Sequence, residues 1–254
     1  IGRCACVAQA RCDMGNPVHW PVWWCPTSHK AVMRQLIHAN RFFLLFLLSF
    51  GLFRTAVADW NPIPSGSMRP TILEGDVVLV NRLAYNVKVP LTGVVLARTA
   101  DPRRGDVVTF SSPLDGTRLI KRVVGLPGDT VAMRNGVLVV NGQPATYADA
   151  QTVLEPVDGG TLLQATRLDE TLPGTPTHRV QQLHGVAARR DFTPVQVPAD
   201  SYLVLGDNRD NSADSRYIGF IPRHLLIGQA HRVLVSADIL GNWLPRFARF
   251  GVAL

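Results

Sequence analysis

Two short stretches of this sequence carry a serine and a lysine that could act together as a nucleophile and its base. The first stretch, Ile63–Pro70, contains Ser65 and Ser67, and the second, Lys121–Asp129, begins with the lysine. A serine hydroxyl is a weak nucleophile, so a neighbouring group must accept its proton, and a lysine can do so only as a neutral amine. The pairing predicts a serine/lysine peptidase.

The residues around Lys121 favour a buried position for its side chain. Lysine in water titrates near ~10.4, and burial among apolar side chains favours the neutral amine. The run Leu119–Val124 is rich in β-branched residues and predicts a strand in the core. On such a strand Arg122 faces the other way, where it can reach solvent or an acid.

The serine stretch is predicted to form a rigid turn. Pro64 and Pro70 restrict the backbone at its two ends, and Gly66 permits a close approach or a positive φ between two serines. Such a turn can direct the Ser67 backbone N–H and the Ser65 hydroxyl toward one point, as an oxyanion hole requires. The alternative is an ordinary surface turn, since Ser-Gly-Ser is common in loops.

Several blocks of the sequence, in this order, resemble the bacterial type I signal peptidases, also called leader peptidases. The serine block of that family matches Pro64–Thr71 and is followed by the Gly75–Val80 strand, the lysine block matches Lys121–Asp129, and the last block matches Gly206–Pro222. The resemblance implies a membrane-anchored endopeptidase that removes N-terminal signal peptides from exported preproteins, cleaving after small residues through an acyl-enzyme.

The resemblance also implies a role for each of four residues. Ser67 is the expected nucleophile and Lys121 the expected general base. Ser65 is the expected hydroxyl donor of the oxyanion hole, beside the backbone N–H of Ser67. Ser212 is the expected partner that orients the lysine amine. No cofactor is expected, because this chemistry needs only protein groups.

The substrate pocket of such an enzyme should be shallow and apolar, so that it admits side chains the size of alanine. Ile63, Pro64 and Met68 are the candidates for its walls, since they flank the serine turn. Ordinary packing in the core is the competing role for all three.

The Gly206–Arg216 block contains several acids that could also indicate a calcium loop. An EF-hand needs a glutamate at its twelfth position, and counting from Asp207 that position is Ile218. No metal is therefore expected. We expect the charged residues to pair with one another and to support the site as structural residues: Asp207, Asp214, Arg209, Arg216 and Arg122.

An apolar segment precedes the serine turn and predicts a transmembrane anchor over Phe42–Ala58. Its length is at the lower end of the ~17–25 residues that span a bilayer. Basic residues before it place the N-terminus in the cytoplasm. The prediction is a single-pass protein of the bacterial cytoplasmic membrane, with its catalytic domain on the periplasmic or extracytoplasmic side.

A cleavable secretory signal is the alternative for the same segment. Basic residues precede the apolar run, and Ala56-Val57-Ala58 fits a small-residue cleavage pattern. Arg54 directly before that triplet is unfavourable for cleavage, so a retained anchor is preferred.

Residues 1–32 are expected not to belong to the mature protein, because the first start-like arrangement begins at Met33. This leader contains all four cysteines, Cys4, Cys6, Cys12 and Cys25, whose spacings match no zinc pattern.

Composition limits the class of partner. The 254 residues carry a formal net charge of +7, but the basic residues are scattered and no aromatic-rich nucleic-acid motif accompanies them. Nucleic acid is therefore not expected as a partner. The expected partners are exported preproteins and membrane lipids, whose anionic headgroups suit the charge, with a solvated basic surface as the alternative. The protein is expected to be a monomer.

Strand patterns dominate after the anchor, and the predicted fold is mainly β: an N-terminal transmembrane helix, then an antiparallel β catalytic domain with an inserted smaller β subdomain. The clearest signal is Asn135-Gly136 between two apolar runs, which predicts a hairpin. The predicted segments are a leader (1–32), a cytoplasmic basic flank (33–41), the anchor (42–58), the first part of the catalytic domain (59–142), the polar, loop-rich insertion (143–198), and the second part of the catalytic domain with a C-terminal interfacial segment (199–254).

Two other functional classes use similar residues. One is a self-cleaving Ser/Lys regulator. This class is disfavoured because the sequence before Ser67 contains an apolar segment and no DNA-binding helix pair. The other is a membrane-anchored binding module without catalysis, which would not need both Ser67 and Lys121.

Overall fold

The structure is a computed structural model that describes residues 29–89, 94–157 and 161–254. The predicted cysteine-bearing leader therefore lies almost entirely outside the described residues. Leu48–Leu254 form one compact unit, and the residues up to Leu47 are grouped separately from it.

Three α-helices occur in the described residues: α1 (His29–Ala39), α2 (Arg41–Ala56) and α3 (Ser215–Ile218). The apolar segment predicted as an anchor, Phe42–Ala58, overlaps α2. The helix stops at Ala56, because Ala58 already pairs with Asn81 in a β-ladder. Of the helices in residues 29–89, 94–157 and 161–254, none has both the length and the apolar character needed to cross a membrane.

The remainder of the described chain is built mostly from strands. They are β1 (Ala58–Pro62), β2 (Asp76–Asn81), β3 (Asn86–Lys88), β4 (Val95–Arg98), β5 (Val107–Ser111), β6 (Arg118–Gly125), β7 (Thr130–Arg134), β8 (Val137–Val140), β9 (Gln143–Pro144), β10 (Thr146–Pro156), β11 (Leu162–Thr171), β12 (His178–Leu183), β13 (Phe192–Gln196), β14 (Ser201–Leu205), β15 (Ile221–Pro222) and β16 (Leu226–Ser236).

A seven-stranded sheet contains the segments that frame the serine and the lysine. Its order is β1-β2-β16-β5-β6-β14-β15, and neighbouring strands run antiparallel. The strand predicted around Lys121 is β6, which lies between β5 and β14 and is buried along its second half. The mainly β, antiparallel class is confirmed.

The hairpin predicted at Asn135-Gly136 is also present. Arg134 at the end of β7 pairs with Val137 at the start of β8, and both turn residues have positive φ, at 51° and 76°. Positive φ at both central residues is the condition for a tight two-residue hairpin, which is why asparagine and glycine suit this turn.

The insertion contains more strand than its loop-rich sequence suggested. Strands β10, β11 and β12 form a separate three-stranded sheet, whereas β13 and β9 pair with β7 and β8 in a four-stranded sheet. Most β10 side chains are exposed, so the segment looks polar even though its backbone is paired with β11 over most of its length. Hydrophobic pattern alone misses strands of this kind.

The serine turn rests on a small apolar cluster at one end of the seven-stranded sheet. Its buried members are Ile63, Met68, Ile72, Val78, Val107 and Ala230. Packing against this cluster therefore fixes the turn between β1 and β2, while Ser67 itself is only partly buried.

Candidate active site

The predicted nucleophile and base are in direct contact. Ser67 lies in the turn after β1, and Lys121 lies in the middle of β6. The Lys121 Nζ is 2.6 Å from the Ser67 Oγ and also donates a hydrogen bond to the Ile120 carbonyl oxygen at 2.9 Å. Residues 54 positions apart in the sequence thus meet at hydrogen-bond distance.

The environment of Lys121 favours the neutral amine. Its side chain is 2% exposed, and this burial lowers its pKa from 10.5 to about 8. The carboxylates of Asp214 and Asp207 oppose the shift, since each stabilises a positive charge. A lysine with a pKa near 8 has a substantial neutral fraction at mildly alkaline pH, as a general base requires.

Buried ion pairs hold the serine turn in place. Arg69, two residues after the nucleophile, donates from Nε to Glu74 at 2.7 Å and from Nη1 to Glu155 on β10. Glu155 also binds Arg167 at 2.8 Å. A Cβ atom at Gly66 would lie 2.6 Å from a Glu74 carboxylate oxygen, so a side chain at this position would displace the Arg69–Glu74 pair. The rigid turn was predictable from its prolines, whereas its ion pairs leave no pattern in the local sequence.

A second set of contacts joins the turn to the loop after β14. The Asn208 backbone N–H donates to the Ser67 carbonyl oxygen at 3.1 Å, and its side-chain Nδ2 donates to the Gly66 carbonyl oxygen at 3.0 Å. A Cβ atom at Gly206 would lie 2.5 Å from the Ser67 carbonyl oxygen. Nothing in the local sequence pattern around Asn208 indicated this contact.

The predicted pair of Arg122 and Asp207 is present and buried. The guanidinium donates from Nε at 2.9 Å and from Nη2 at 2.7 Å, and Thr71 donates its hydroxyl to the same carboxylate at 2.6 Å. Burial alone would raise the pKa of Asp207, but the Arg122 charge, together with the hydrogen bonds from Arg122 and Thr71, holds that pKa below its ordinary value. The pair ties β6, next to Lys121, to the β14 loop.

Asp214 and Arg216 also pair as predicted. Asp214 caps α3, receives two hydrogen bonds from the Arg216 guanidinium at 2.8 and 2.7 Å, and accepts the Gly206 N–H at 3.1 Å. Arg209 instead binds Glu170 on β11, with one contact at 2.8 Å. Arg209 was expected to pair with the other charged residues around the site, but its partner lies in the inserted sheet.

The three aspartates of this block are each engaged by a different arginine, since Asp210 binds Arg190 at 2.8 Å. Within residues 29–89, 94–157 and 161–254, no three potential metal ligands converge.

Ser212 is placed differently from the expectation. Its hydroxyl oxygen is buried and has no hydrogen-bond partner among the described residues. It lies against Gly206, where an added Cβ would meet it at 2.2 Å. Lys121 donates to Ser67 and Ile120 instead, so its ammonium form retains one unused donor. An orienting hydrogen bond from Ser212 is therefore not present in this structure.

The candidate pocket residues divide into two groups. Met68 is fully buried and Ile63 is 5% exposed, and both belong to the cluster beneath the turn. Only Pro64 is exposed. For Ile63 and Met68 the competing role, packing in the core, is the one observed, because this cluster fills the space between the turn and the sheet.

Comparison with known proteins gives a family match over most of the sequence. Residues 35–235 match the family described as signal peptidase, peptidase S26. The chain is 36% identical over 233 residues to signal peptidase I of Pseudomonas aeruginosa, covering 85% of this chain and 79% of that protein. It is 34% identical over 230 residues to signal peptidase I of Pseudomonas fluorescens, with the same coverage of both chains.

A crystal structure of a signal peptidase I from Enterococcus faecalis is 30% identical, covers 51% of this chain and 97% of that one, and has a TM-score of 0.31. That score is too low to compare the folds, so the assignment rests on the sequence. With a family match across most of the chain and relatives above 30% identity, the chain belongs to the signal peptidase family, peptidase S26.

Proposed function

We propose that this chain removes N-terminal signal peptides from exported preproteins, with Ser67 as nucleophile and Lys121 as general base. The observation that carries the proposal is the 2.6 Å contact between the Lys121 Nζ and the Ser67 Oγ. The amine belongs to a lysine that is almost completely buried. A buried lysine without a carboxylate in hydrogen-bond contact is unusual in a purely structural role.

The reaction begins when neutral Lys121 takes the proton from Ser67 as the serine oxygen attacks the scissile carbonyl carbon. The tetrahedral intermediate collapses, and protonated Lys121 gives its proton to the leaving amine of the mature protein. The signal peptide then remains as an ester on Ser67. Lys121 removes a proton from water, which hydrolyses this ester and regenerates the serine.

The developing negative charge on the carbonyl oxygen needs hydrogen-bond donors. Two groups of the serine turn are suited to this role. No described residue accepts a hydrogen bond from the Ser67 backbone N–H, and the Ser65 side chain, two residues earlier in the turn, is exposed. Donors that are free before the reaction cost no reorganisation when the charge forms. We also propose that the Ser212 hydroxyl accepts a hydrogen bond from the unused donor of Lys121 when the lysine is protonated.

We further propose that the substrate pocket forms at the exposed edge of the turn, with Pro64 in contact with the substrate. Ile63 and Met68 support this edge from the core. Specificity for small residues then follows from the lack of room beside a turn that is fixed by packing.

The membrane placement of the protein is also a proposal. The apolar side chains of α2 from Phe42 to Leu48 are largely exposed, as are Trp243 and Phe247 near the C-terminus. Exposed apolar side chains on this scale mark a surface that contacts lipid or another partner. We place the protein at the bacterial cytoplasmic membrane as a single-pass monomer, with the basic N-terminal flank inside and the β domain outside.

The test is cleavage of a purified precursor with an Ala-x-Ala site by the detergent-solubilised chain. Ser67→Ala and Lys121→Ala should each abolish product while remaining folded, because each removes one half of the dyad. Matched controls are Ser236→Ala, a buried serine whose hydroxyl has no partner in the described residues, and Lys88→Ala, a half-buried lysine on β3. Undiminished cleavage by either dyad variant contradicts the proposal.

A further inference from the structure

One residue, Asn208, donates hydrogen bonds to the backbone on both sides of the proposed nucleophile. Asn208 donates its backbone N–H to the Ser67 carbonyl oxygen at 3.1 Å, and its side-chain amide to the Gly66 carbonyl oxygen at 3.0 Å. These carbonyls belong to the peptide groups before and after the Ser67 Cα atom. The Gly66 carbonyl oxygen also accepts the Arg69 backbone N–H at 3.1 Å. Asn208 therefore contacts both peptide groups that meet at the nucleophile, and it shares the first of them with Arg69.

The contact with Gly66 has a consequence for the Ser67 N–H. The Gly66 carbonyl and the Ser67 N–H belong to the same peptide group, which is trans in this structure. In a planar trans peptide the two bonds point in opposite directions. By holding the Gly66 oxygen toward the β14 loop, Asn208 turns the Ser67 N–H away from that loop. This N–H has no acceptor among the described residues.

Asn208 is itself held firmly. Its side chain is 2% exposed, and residues on either side of it are hydrogen-bonded to Gln181 on β12. The Gln181 N–H donates to the Asp207 carbonyl oxygen, and the Arg209 N–H donates to the Gln181 carbonyl oxygen, both at 2.9 Å. The inserted sheet thus fixes Asn208, and Asn208 fixes the turn.

An asparagine at this place carries a cost. Its side-chain oxygen Oδ1 is buried and has no hydrogen-bond partner among the described residues. A buried acceptor without a partner lowers stability, so this amide stabilises the fold less than a fully hydrogen-bonded one would. Among the described residues, the hydrogen bond to the Gly66 carbonyl oxygen is the one polar contact of this side-chain amide.

We propose that Asn208 is a positioning residue for the oxyanion hole, acting through the Gly66–Ser67 peptide to aim the Ser67 N–H at the substrate carbonyl oxygen. The inference rests on the proposed function, because it takes Ser67 as the nucleophile and its N–H as an oxyanion donor. Asn208 touches neither the substrate nor the reacting atoms.

The test compares Asn208→Leu with Gln181→Leu in the full chain in detergent. Leucine has nearly the shape of asparagine, removes the Nδ2 donor and keeps the backbone contact with Ser67. Gln181→Leu is the matched control, since its buried amide makes no hydrogen bond in the described structure and lies beside Asn208 in the fold. Near-UV circular dichroism and thermal melting establish that each variant is folded.

Three probes separate positioning from general damage: a cleavable Ala-x-Ala peptide, its analogue with a reduced, uncleavable bond, and a peptide aldehyde. Ser67 adds to the aldehyde carbon, and the hemiacetal oxygen, with the serine proton transferred to it, occupies the oxyanion site. We expect Asn208→Leu to lower kcat by about 10- to 100-fold, less than the ~100- to 1,000-fold loss of a donor itself. Aldehyde binding should weaken, while KM and binding of the reduced analogue remain unchanged.

Equal kcat values for Asn208→Leu and Gln181→Leu would overturn the inference while leaving the dyad intact. It is likewise overturned if Asn208→Leu weakens the reduced analogue as much as the aldehyde, because that is general distortion of the site. Absence of cleavage by the unaltered chain counts against the proposed function and, with it, against this role. If Asn208→Leu does not fold, Asn208→Ala is measured in its place against Gln181→Ala, with the same outcomes.

Discussion

At the scale of single residues, Lys121 must be buried to lose its proton, yet its amine must stay in contact with the serine it serves. The structure meets both conditions by placing it on a central strand with only its Nζ at the serine turn. The carboxylates of Asp207 and Asp214 limit the fall of its pKa, and each is already neutralised by an arginine. Those arginines keep the nearby acids from holding the lysine fully protonated.

The pH dependence of cleavage should report this lysine. Because the neutral amine is the active form, the logarithm of kcat/KM should rise with unit slope against pH. It should level off above the pKa of Lys121, about 8. Steady-state rates on a peptide substrate, from about pH 6 to pH 10, measure the profile. A profile governed by a group that titrates near ~6.5 would indicate a histidine base instead and contradict the assignment.

The same shift makes a prediction about stability. Lys121 has a pKa of about 8 when folded and 10.5 as the reference value. Between these values the unfolded state binds more protons, so the free energy of unfolding should rise with pH. Lys121→Met lacks the titrating amine, so its free energy of unfolding should not show this rise with pH. Denaturant melts of both chains between about pH 7.5 and pH 10.5 test it, and parallel curves would show that the lysine is not desolvated.

At the scale of elements, the serine turn and the β14 loop that contacts it are both fixed by the inserted sheet. Glu155 on β10 binds Arg69 in the serine turn, and Glu170 on β11 binds Arg209 in the β14 loop. These buried pairs connect the inserted sheet to the serine turn and to the β14 loop. We infer that the insertion supports the site as well as extending the fold.

Breaking one of these pairs should therefore affect both stability and activity. Glu155→Gln leaves Arg69 buried without its full partner and should lower the free energy of unfolding by about 3 kcal/mol. Cleavage should fall with it, because the serine turn loosens. The matched control, Asp169→Asn, breaks a partly exposed pair with Arg179 in the same sheet and should cost at most about 1 kcal/mol. Equal effects of the two variants would contradict a supporting role.

Strands and turns of this fold could be predicted from the sequence, whereas the side-chain contacts between distant elements could not. The strand at Lys121 and the hairpin at Asn135-Gly136 were predictable because burial and positive φ leave local patterns. The contacts of Glu155 and Asn208 were not, because they join residues far apart in sequence and leave no periodicity. Ser212 was assigned by resemblance, and its hydrogen bond is not present here.

At the scale of the whole molecule, charge and apolar exposure favour the same kind of surface partner. The chain carries a net charge of +7, and large apolar side chains are exposed near its C-terminus, including Trp243, Leu244 and Phe247. Aromatic residues interleaved with arginines suit the interface between headgroups and acyl chains. An enzyme that meets its substrates at the membrane benefits from such a surface.

This surface can be tested without reference to catalysis. Trp243→Ser combined with Phe247→Ser should weaken sedimentation of the chain with anionic phospholipid vesicles several-fold, because two exposed apolar anchors are lost. Leu114→Ser combined with Leu154→Ser removes two side chains of similar exposure elsewhere and is the matched control. Equal binding by the two double variants would show that the C-terminal segment does not contact lipid.

The most direct measurement of the central claim is the site of the acyl-enzyme. A peptide ester ending in Ala-x-Ala is mixed with the unaltered chain, quenched in acid within the first turnover, and the digested protein is analysed by mass spectrometry. The account predicts a signal-peptide acyl group on the fragment that contains Ser67, and none in the Lys121→Ala variant at the same time point. An acyl group on any other residue, or one formed equally fast without Lys121, would contradict it.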